Sequence, residues 1–167
     1  MRSLPILFAV MLLLVPLRHE ARELTGKLPV NSYVAEGYGN PDSVRGAMER
    51  RALHRIEGIW SFPSDGGAVV IERYSDPSVA GTGGAMHYRM VVLRSPCRSL
   101  RPGTVMGYLS ATAKPGIYSA QIYTAGDGGP TLRRPKDFTL TLVDDAHLSF
   151  RRHSRKLKVN LWRLIPY

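Results

Sequence analysis

The chain has 167 residues, of which 44% are hydrophobic and 22% are charged, and it carries a net charge of +10. This length predicts one domain with one core, and this composition excludes wholesale disorder. The basic excess favours anionic partners such as phosphorylated glycans, nucleic acid or acidic lipid surfaces. Cys97 is the only cysteine, which excludes an intramolecular disulfide and leaves the core to stabilise the domain.

The first residues of the chain are typical of an export signal. Arg2 supplies a positive charge, and residues 4–17 form an uncharged apolar run. As a helix this run would span about 21 Å, which is short of the roughly 30 Å hydrocarbon core of a bilayer. We therefore predict a signal peptide over residues 1–22, a secreted or periplasmic location, and no transmembrane span in the mature protein. An uncleaved anchor stays open, because His19 lies at position −3 of the best cleavage site.

The region after the signal peptide predicts an arm and one helix. Residues 23–41 contain Gly, Pro and Asn without sustained periodicity, which indicates a linker or an N-terminal arm. The run Asn40-Pro41-Asp42-Ser43 is typical of a helix start, and apolar residues then recur at helical spacing from Val44 to Ile56. A short helix is therefore predicted over residues 42–55.

From Ile56 onward the apolar residues alternate with a period of two, which is typical of strands. The predicted strands are 56–62, 68–74, 88–95, 104–113, 117–124, 138–143, 147–152 and 156–164. Most gaps between them are too short for parallel crossovers, so we expect an antiparallel meander that closes to remove its edges. The predicted fold is all-β: an eight-stranded antiparallel up-and-down barrel over residues 56–167, preceded by one short helix.

A motif at the first predicted strand suggests a family. Gly58-Ile59-Trp60 resembles the Gly-x-Trp motif of lipocalins and their calycin relatives. In that family the Trp closes one end of the barrel, and a basic residue from the last strand packs across its ring. The resemblance implies barrel closure by Gly58, Trp60 and Arg163, with a cation–π contact of about 0.5–2 kcal/mol. The chain departs from the family in its short barrel segment and its lack of a tethering disulfide.

Residues suited to catalysis or metal binding form no recognised pattern. No pair among the histidines has metal-ligand spacing; they are His19, His54, His87, His147 and His153. No Gly-x-Ser-x-Gly motif is present, and a tight hairpin explains the adjacent Asp144 and Asp145. The sequence therefore predicts no catalytic residue, metal site or cofactor, and an enzyme is the less favoured class.

The densest basic segment is 151–158, around the turn between the last two predicted strands. Two interpretations explain this segment: a solvated hairpin that protects a sheet edge, or a rim that contacts anions. The candidate anion-binding rim comprises Arg133, Arg134, Lys136, Arg151, Arg152, Arg155, Lys156 and Lys158. Nucleic acid is less favoured as a ligand, because the segment lacks the interleaved aromatic residues that stack on bases.

These observations leave three functional hypotheses. The first is an exported lipocalin-like binding or interaction module that contacts a small apolar ligand or an anionic glycan or lipid of the cell envelope. The second is a cell-envelope hydrolase with an unrecognised site. The third is a transmembrane barrel, which short strands and charged strand faces disfavour. A filled barrel interior would favour an interaction module over a carrier, because ligand pockets occupy about 300–1,000 Å³.

Overall fold

The computed structural model describes residues 31–75, 87–126, 128–153 and 158–164. The elements are α1 (Pro41–Glu49), β1 (Gly58–Ser61), β2 (Ala68–Arg73), β3 (His87–Arg94), β4 (Val105–Ala111), β5 (Ile117–Gly126), β6 (Leu132–Leu142), β7 (His147–Arg152) and β8 (Lys158–Arg163). Each strand pairs antiparallel with the next, and β8 pairs antiparallel with β1 to close the barrel. The predicted fold class is confirmed. The described residues contain no helix long and apolar enough to span a membrane.

The barrel interior is filled by apolar side chains. Every strand contributes to one buried cluster, because alternate residues of each strand point inward. Fully buried members include Trp60, Met90, Leu109, Leu148 and Leu161. In the part of the chain that the structure describes, the interior is therefore an apolar core.

A second apolar cluster lies outside the barrel. Val44 and Met48 are one helical turn apart on α1 and are both buried. They belong to a cluster with outward-facing residues of β1 to β5, among them Ile59, Val70 and Val105. The helix thus covers the part of the outer wall that is apolar, which explains why consecutive residues are buried in β1 and β2.

The helix is shorter than predicted. It begins where expected, because Asn40 Oδ1 accepts hydrogen bonds from the amides of Asp42 at 2.9 Å and Ser43 at 3.3 Å. It ends at Glu49, six residues before the predicted end at residue 55. The backbone beyond it bonds to side chains instead: the His54 amide donates to a carboxylate at 2.8 Å, and the Ala52 carbonyl accepts from a guanidinium at 2.6 Å.

Residues 31–40, the described part of the predicted linker or arm, pack along the barrel wall. Asn31 and Val34 form isolated antiparallel bridges with Arg133 and Thr104. The Ala35 amide donates to the Gly103 carbonyl at 2.8 Å, and a Cβ at Gly103 would lie 2.2 Å from the Ala35 oxygen. Only a glycine permits this approach, so the arm is fitted to the barrel.

Candidate functional site

The meander gives the barrel two chemically different ends. Successive connections of an up-and-down barrel alternate between the ends, so every second connection lies at the same end. The Trp60 end holds the segment that precedes β1, the β4–β5 and β6–β7 connections, and the end of β8. The basic end holds the β1–β2, β3–β4, β5–β6 and β7–β8 connections.

At the Trp60 end, the three residues of the lipocalin-like motif come together. Trp60 is fully buried, and its Nε1 donates to the Ile56 carbonyl at 3.0 Å. Arg163 pairs with Trp60 across β1 and β8, and its Cζ lies 4.5 Å from the centroid of the Trp60 ring. Gly58 has a φ of 150°, and a Cβ there would lie 3.3 Å from Arg163 Nη1. The glycine therefore leaves room for the guanidinium that covers the indole.

A buried carboxylate next to this motif was not predicted. Glu57 is fully buried, and it accepts hydrogen bonds from the amides of His54 at 2.8 Å and Arg73 at 3.0 Å. It also forms ion pairs with Arg51 at 3.1 Å and Arg73 at 3.0 Å. A carboxylate without solvent needs such partners to stay charged. The period of two placed Glu57 on an outward face, and no local pattern indicates that arginines from two other segments meet there.

A second ionic group links the arm to the outer wall. Glu72 Oε1 accepts from Arg89 Nε at 2.7 Å and from the hydroxyl of Tyr38. Burial, reinforced by the neighbouring Glu72 carboxylate, raises the pKa of Tyr38. The phenol therefore stays protonated and donates to Glu72. The contacts connect the arm to β2 and β3.

At the basic end, all the described residues of the predicted rim lie on strands. Strand β6 starts at Leu132, six residues before the predicted start at Phe138, so Arg133, Arg134 and Lys136 belong to the barrel wall. The backbone pairs Ala125 with Arg133 and Ile122 with Lys136. All three basic residues are exposed. Strand pairing is made by backbone groups, so a segment with polar side chains can pair without showing the apolar pattern of a strand. This part of β6 was therefore not predicted from the sequence.

The last hairpin adds basic residues to the same end. Arg151 pairs with Thr139 on one side and with Lys158 on the other. Arg152 pairs with the buried Phe138, which places it on an inward-facing position at the mouth of the barrel. Its Nε is shielded from solvent and has no hydrogen-bond partner in the described residues. Two further predicted rim residues, Arg155 and Lys156, lie outside the described residues.

Three arginines of the basic end were not predicted as part of the rim. Arg94, Arg98 and Arg101 are exposed at the end of β3 and in the β3–β4 connection. The Thr104 hydroxyl donates to the Pro130 carbonyl at 2.8 Å, which joins this connection to the one between β5 and β6. Once a meander is predicted, the alternation of its connections is a signal that would have grouped these arginines with the rim.

Few acidic side chains offset these charges. The described carboxylates in or near this end are Asp65, which accepts from the Gly67 amide at 2.8 Å, and Asp137, which accepts from Gln121 at 3.2 Å. Across the described ranges, no ion pair involves Arg134, Arg151 or Lys136. Arginine stays charged at any physiological pH, so the positive field of this end persists.

Asp144 and His147 form a histidine–carboxylate pair at the connection between β6 and β7. Asp144 Oδ2 lies 2.5 Å from His147 Nδ1, and this hydrogen bond lowers the pKa of Asp144. The other ring nitrogen, Nε2, is shielded from solvent, and the imidazole centroid lies 3.5 Å from that of Trp162. A general base must reach its substrate through that nitrogen. The pair is therefore explained by the β6–β7 hairpin, where Asp144 also accepts from the Ala146 amide at 2.7 Å.

Metal ligands do not cluster in the described part of the chain: no group of three or more His, Cys, Asp or Glu side chains could hold an ion there. Comparison of the chain with protein-family models, with curated proteins and with solved structures gives no match. The likeness to lipocalins therefore depends on the closed barrel and on the contacts among Gly58, Trp60 and Arg163.

Proposed function

We propose that this chain is an exported lipocalin-like interaction module that binds an anionic glycan or lipid of the cell envelope through the basic end of its barrel. The observation that carries the proposal is the convergence of basic residues from three hairpins, β3–β4, β5–β6 and β7–β8, on one end. The basic residues there whose side chains the structure describes are Arg94, Arg98, Arg101, Arg133, Arg134, Lys136, Arg151 and Arg152.

Guanidinium groups suit this role. Their planar donors match the oxygens of phosphate, sulfate and carboxylate groups two at a time. An exposed single contact is weak, but contacts from three hairpins of one rigid barrel add up on a polymer or a lipid surface. The field of the basic end also attracts such ligands over about 8–10 Å in physiological salt.

The packed interior supports a surface ligand over an internal one. The barrel core contains apolar side chains from every strand, so a small apolar molecule would have to displace part of it. The exposed arginines of the basic end can contact an anion without any rearrangement. Among the ligands considered, an anionic envelope component therefore fits better than a small apolar molecule.

The test compares two triple variants that remove the same charges. The first, Arg134→Gln with Lys136→Gln and Arg151→Gln, changes exposed residues of the basic end. The control, Arg45→Gln with Arg50→Gln and Lys114→Gln, changes exposed residues in α1, directly after α1 and at the Trp60 end. Binding is measured by titration with heparin and by sedimentation with phosphatidylglycerol vesicles, at several salt concentrations.

We expect the basic-end variant to lose at least about tenfold in affinity, which is about 1.4 kcal/mol, and the control to lose much less. Binding by the unaltered protein should weaken as salt rises. Heparin and vesicles separate a glycan ligand from a lipid ligand. Equal losses in both variants would show that net charge alone is responsible, and binding insensitive to salt would also contradict the proposal.

A further inference from the structure

A pocket of about 230 Å³ lies at the Trp60 side of the outer wall, between the arm, α1 and β2. Its charged lining residues are Glu36 from the arm, Arg51 from the segment after α1, and Glu72 from β2. Val44 and Met48 form an apolar side. The pocket is smaller than the roughly 300–1,000 Å³ of sites for drug-sized ligands, so it fits a molecule of few atoms.

Glu72 presents one unused oxygen to this pocket. Its Oε1 accepts from Arg89 and Tyr38, whereas no hydrogen bond from the described residues reaches Oε2. The Nη2 of Arg51 lies 3.8 Å from Oε2, which is too far for a hydrogen bond. A partly buried carboxylate oxygen in this position can accept a donor from a ligand.

Arg51 presents unused donors next to that oxygen. Its Nη2 donates to Glu57 at 3.1 Å, while its Nε and Nη1 have no hydrogen-bond partner in the described parts of the chain. The side chain is 36% exposed. A guanidinium with free donors binds a carboxylate well. The pocket therefore places the guanidinium of Arg51 beside Glu72 Oε2, with which it forms a long ion pair of 3.8 Å but no hydrogen bond.

We propose that this pocket binds a zwitterionic α-amino acid with an aliphatic side chain. The ammonium group donates to Glu72 Oε2, with Glu36 as a second carboxylate near it, and the carboxylate group accepts from Arg51. The side chain packs against the apolar side of the pocket that Val44 and Met48 form. The geometry requires both charges in one small molecule, which distinguishes this ligand from a simple amine or a simple acid. The site is separate from the basic end and does not depend on its function.

The test uses three probes of one shape: L-leucine, 3-methylbutylamine, which lacks the carboxylate, and 4-methylpentanoate, which lacks the ammonium group. Amide chemical shifts of the ¹⁵N-labelled protein are followed during titration with each. We expect shifts in α1 and the arm, and an affinity for leucine at least about tenfold above that for either analogue. Either analogue binding as tightly as leucine, or no shift with leucine, would overturn the proposal.

Variants separate the pocket from the stability of the arm. Ala47 lines the pocket but is exposed, so Ala47→Trp should fill the space without breaking an ion pair, and leucine binding should be lost. Glu72→Gln should weaken leucine at least about tenfold and leave 4-methylpentanoate nearly unchanged. The control is Glu49→Gln, an exposed residue of α1 that does not line the pocket. Leucine binding by a folded Ala47→Trp variant with unchanged affinity would disprove the site even if Glu72→Gln fails to fold.

Discussion

The two ends of the barrel both contain arginines, but the surroundings of these arginines differ. At the Trp60 end, Arg73 and Arg163 contact a buried carboxylate, backbone carbonyls and an indole ring. At the basic end, Arg134 and Arg151 are exposed and, in the described residues, form no ion pair. An arginine with buried partners contributes to the fold, whereas a group of exposed arginines is available to a ligand.

The largest expected effect is the loss of the indole. Trp60→Ala removes a fully buried side chain and the surface on which Arg163 lies, so the free energy of unfolding should fall by about 3–5 kcal/mol. Urea denaturation measures this change in the free energy of unfolding. The control is Trp162→Ala, since Trp162 is 44% exposed and its loss should cost far less. Equal midpoints for the two variants would show that Trp60 does not hold this end together.

Removal of the buried charge should have the next largest effect. Glu57→Gln leaves Arg51 and Arg73 without their carboxylate, and it turns an amide donor toward other donors, at a cost of about 3 kcal/mol. The same urea denaturation experiment measures this loss of unfolding free energy. Asp145→Asn is the matched control, because Asp145 pairs with Arg55 on the surface. A loss no greater than that of the control would contradict a structural role for Glu57.

The basic end should tolerate the loss of its charges. In the triple variant Arg134→Gln, Lys136→Gln and Arg151→Gln, each surface substitution should change the free energy of unfolding by no more than about 0.5 kcal/mol. Relief of like-charge repulsion should make the sum neutral or slightly stabilising. Thermal unfolding at low salt is the most sensitive measurement. A large destabilisation would mean that these residues support the fold, and the difference between the two ends would disappear.

The smallest effect concerns pH and the β6–β7 hairpin. The hydrogen bond from His147 lowers the pKa of Asp144 below its ordinary value of 3.8. The stability that comes from this bond is therefore fully present above pH 3.8 and is lost as the pH falls through the lower pKa of the folded state. Asp144→Asn should lower the melting temperature slightly at neutral pH, and the difference from the unaltered protein should shrink in acid. A difference that is constant across this range would contradict the assignment.

Local patterns predicted the strands well where one face of a strand is apolar. Residues 147–152 were predicted with the bounds that the structure has, because Leu148 and Phe150 recur two residues apart and both belong to the core. Strand β6 was predicted to begin too late, because its first half pairs with β5 through the backbone while its side chains are polar. The helix was predicted to end too late, because the apolar spacing continues to Ile56 while the backbone turns toward Glu57.

Only part of the candidate site was predicted, because some of its residues are distant from the others in sequence. The rim residues of β6 and β7 are close in sequence to one another or to a turn, so the sequence alone groups them. Arg94, Arg98 and Arg101 are far away in the chain, and only the alternation of barrel connections joins them to that group. The pocket that contains Arg51 and Glu72 had no sequence signal at all, since its lining comes from three segments.

Local properties of the chain, namely pleat alternation and short connections, predict the number of strands, their antiparallel order and the placement of an indole at the first strand. Only the folded structure shows which charges are paired and which face solvent. Ion pairs join residues that are distant in sequence, and the free energy of each depends on burial, which no local pattern records. In this protein, the pairing and burial of charges distinguish the arginines that stabilise the barrel from those that are available to bind a ligand.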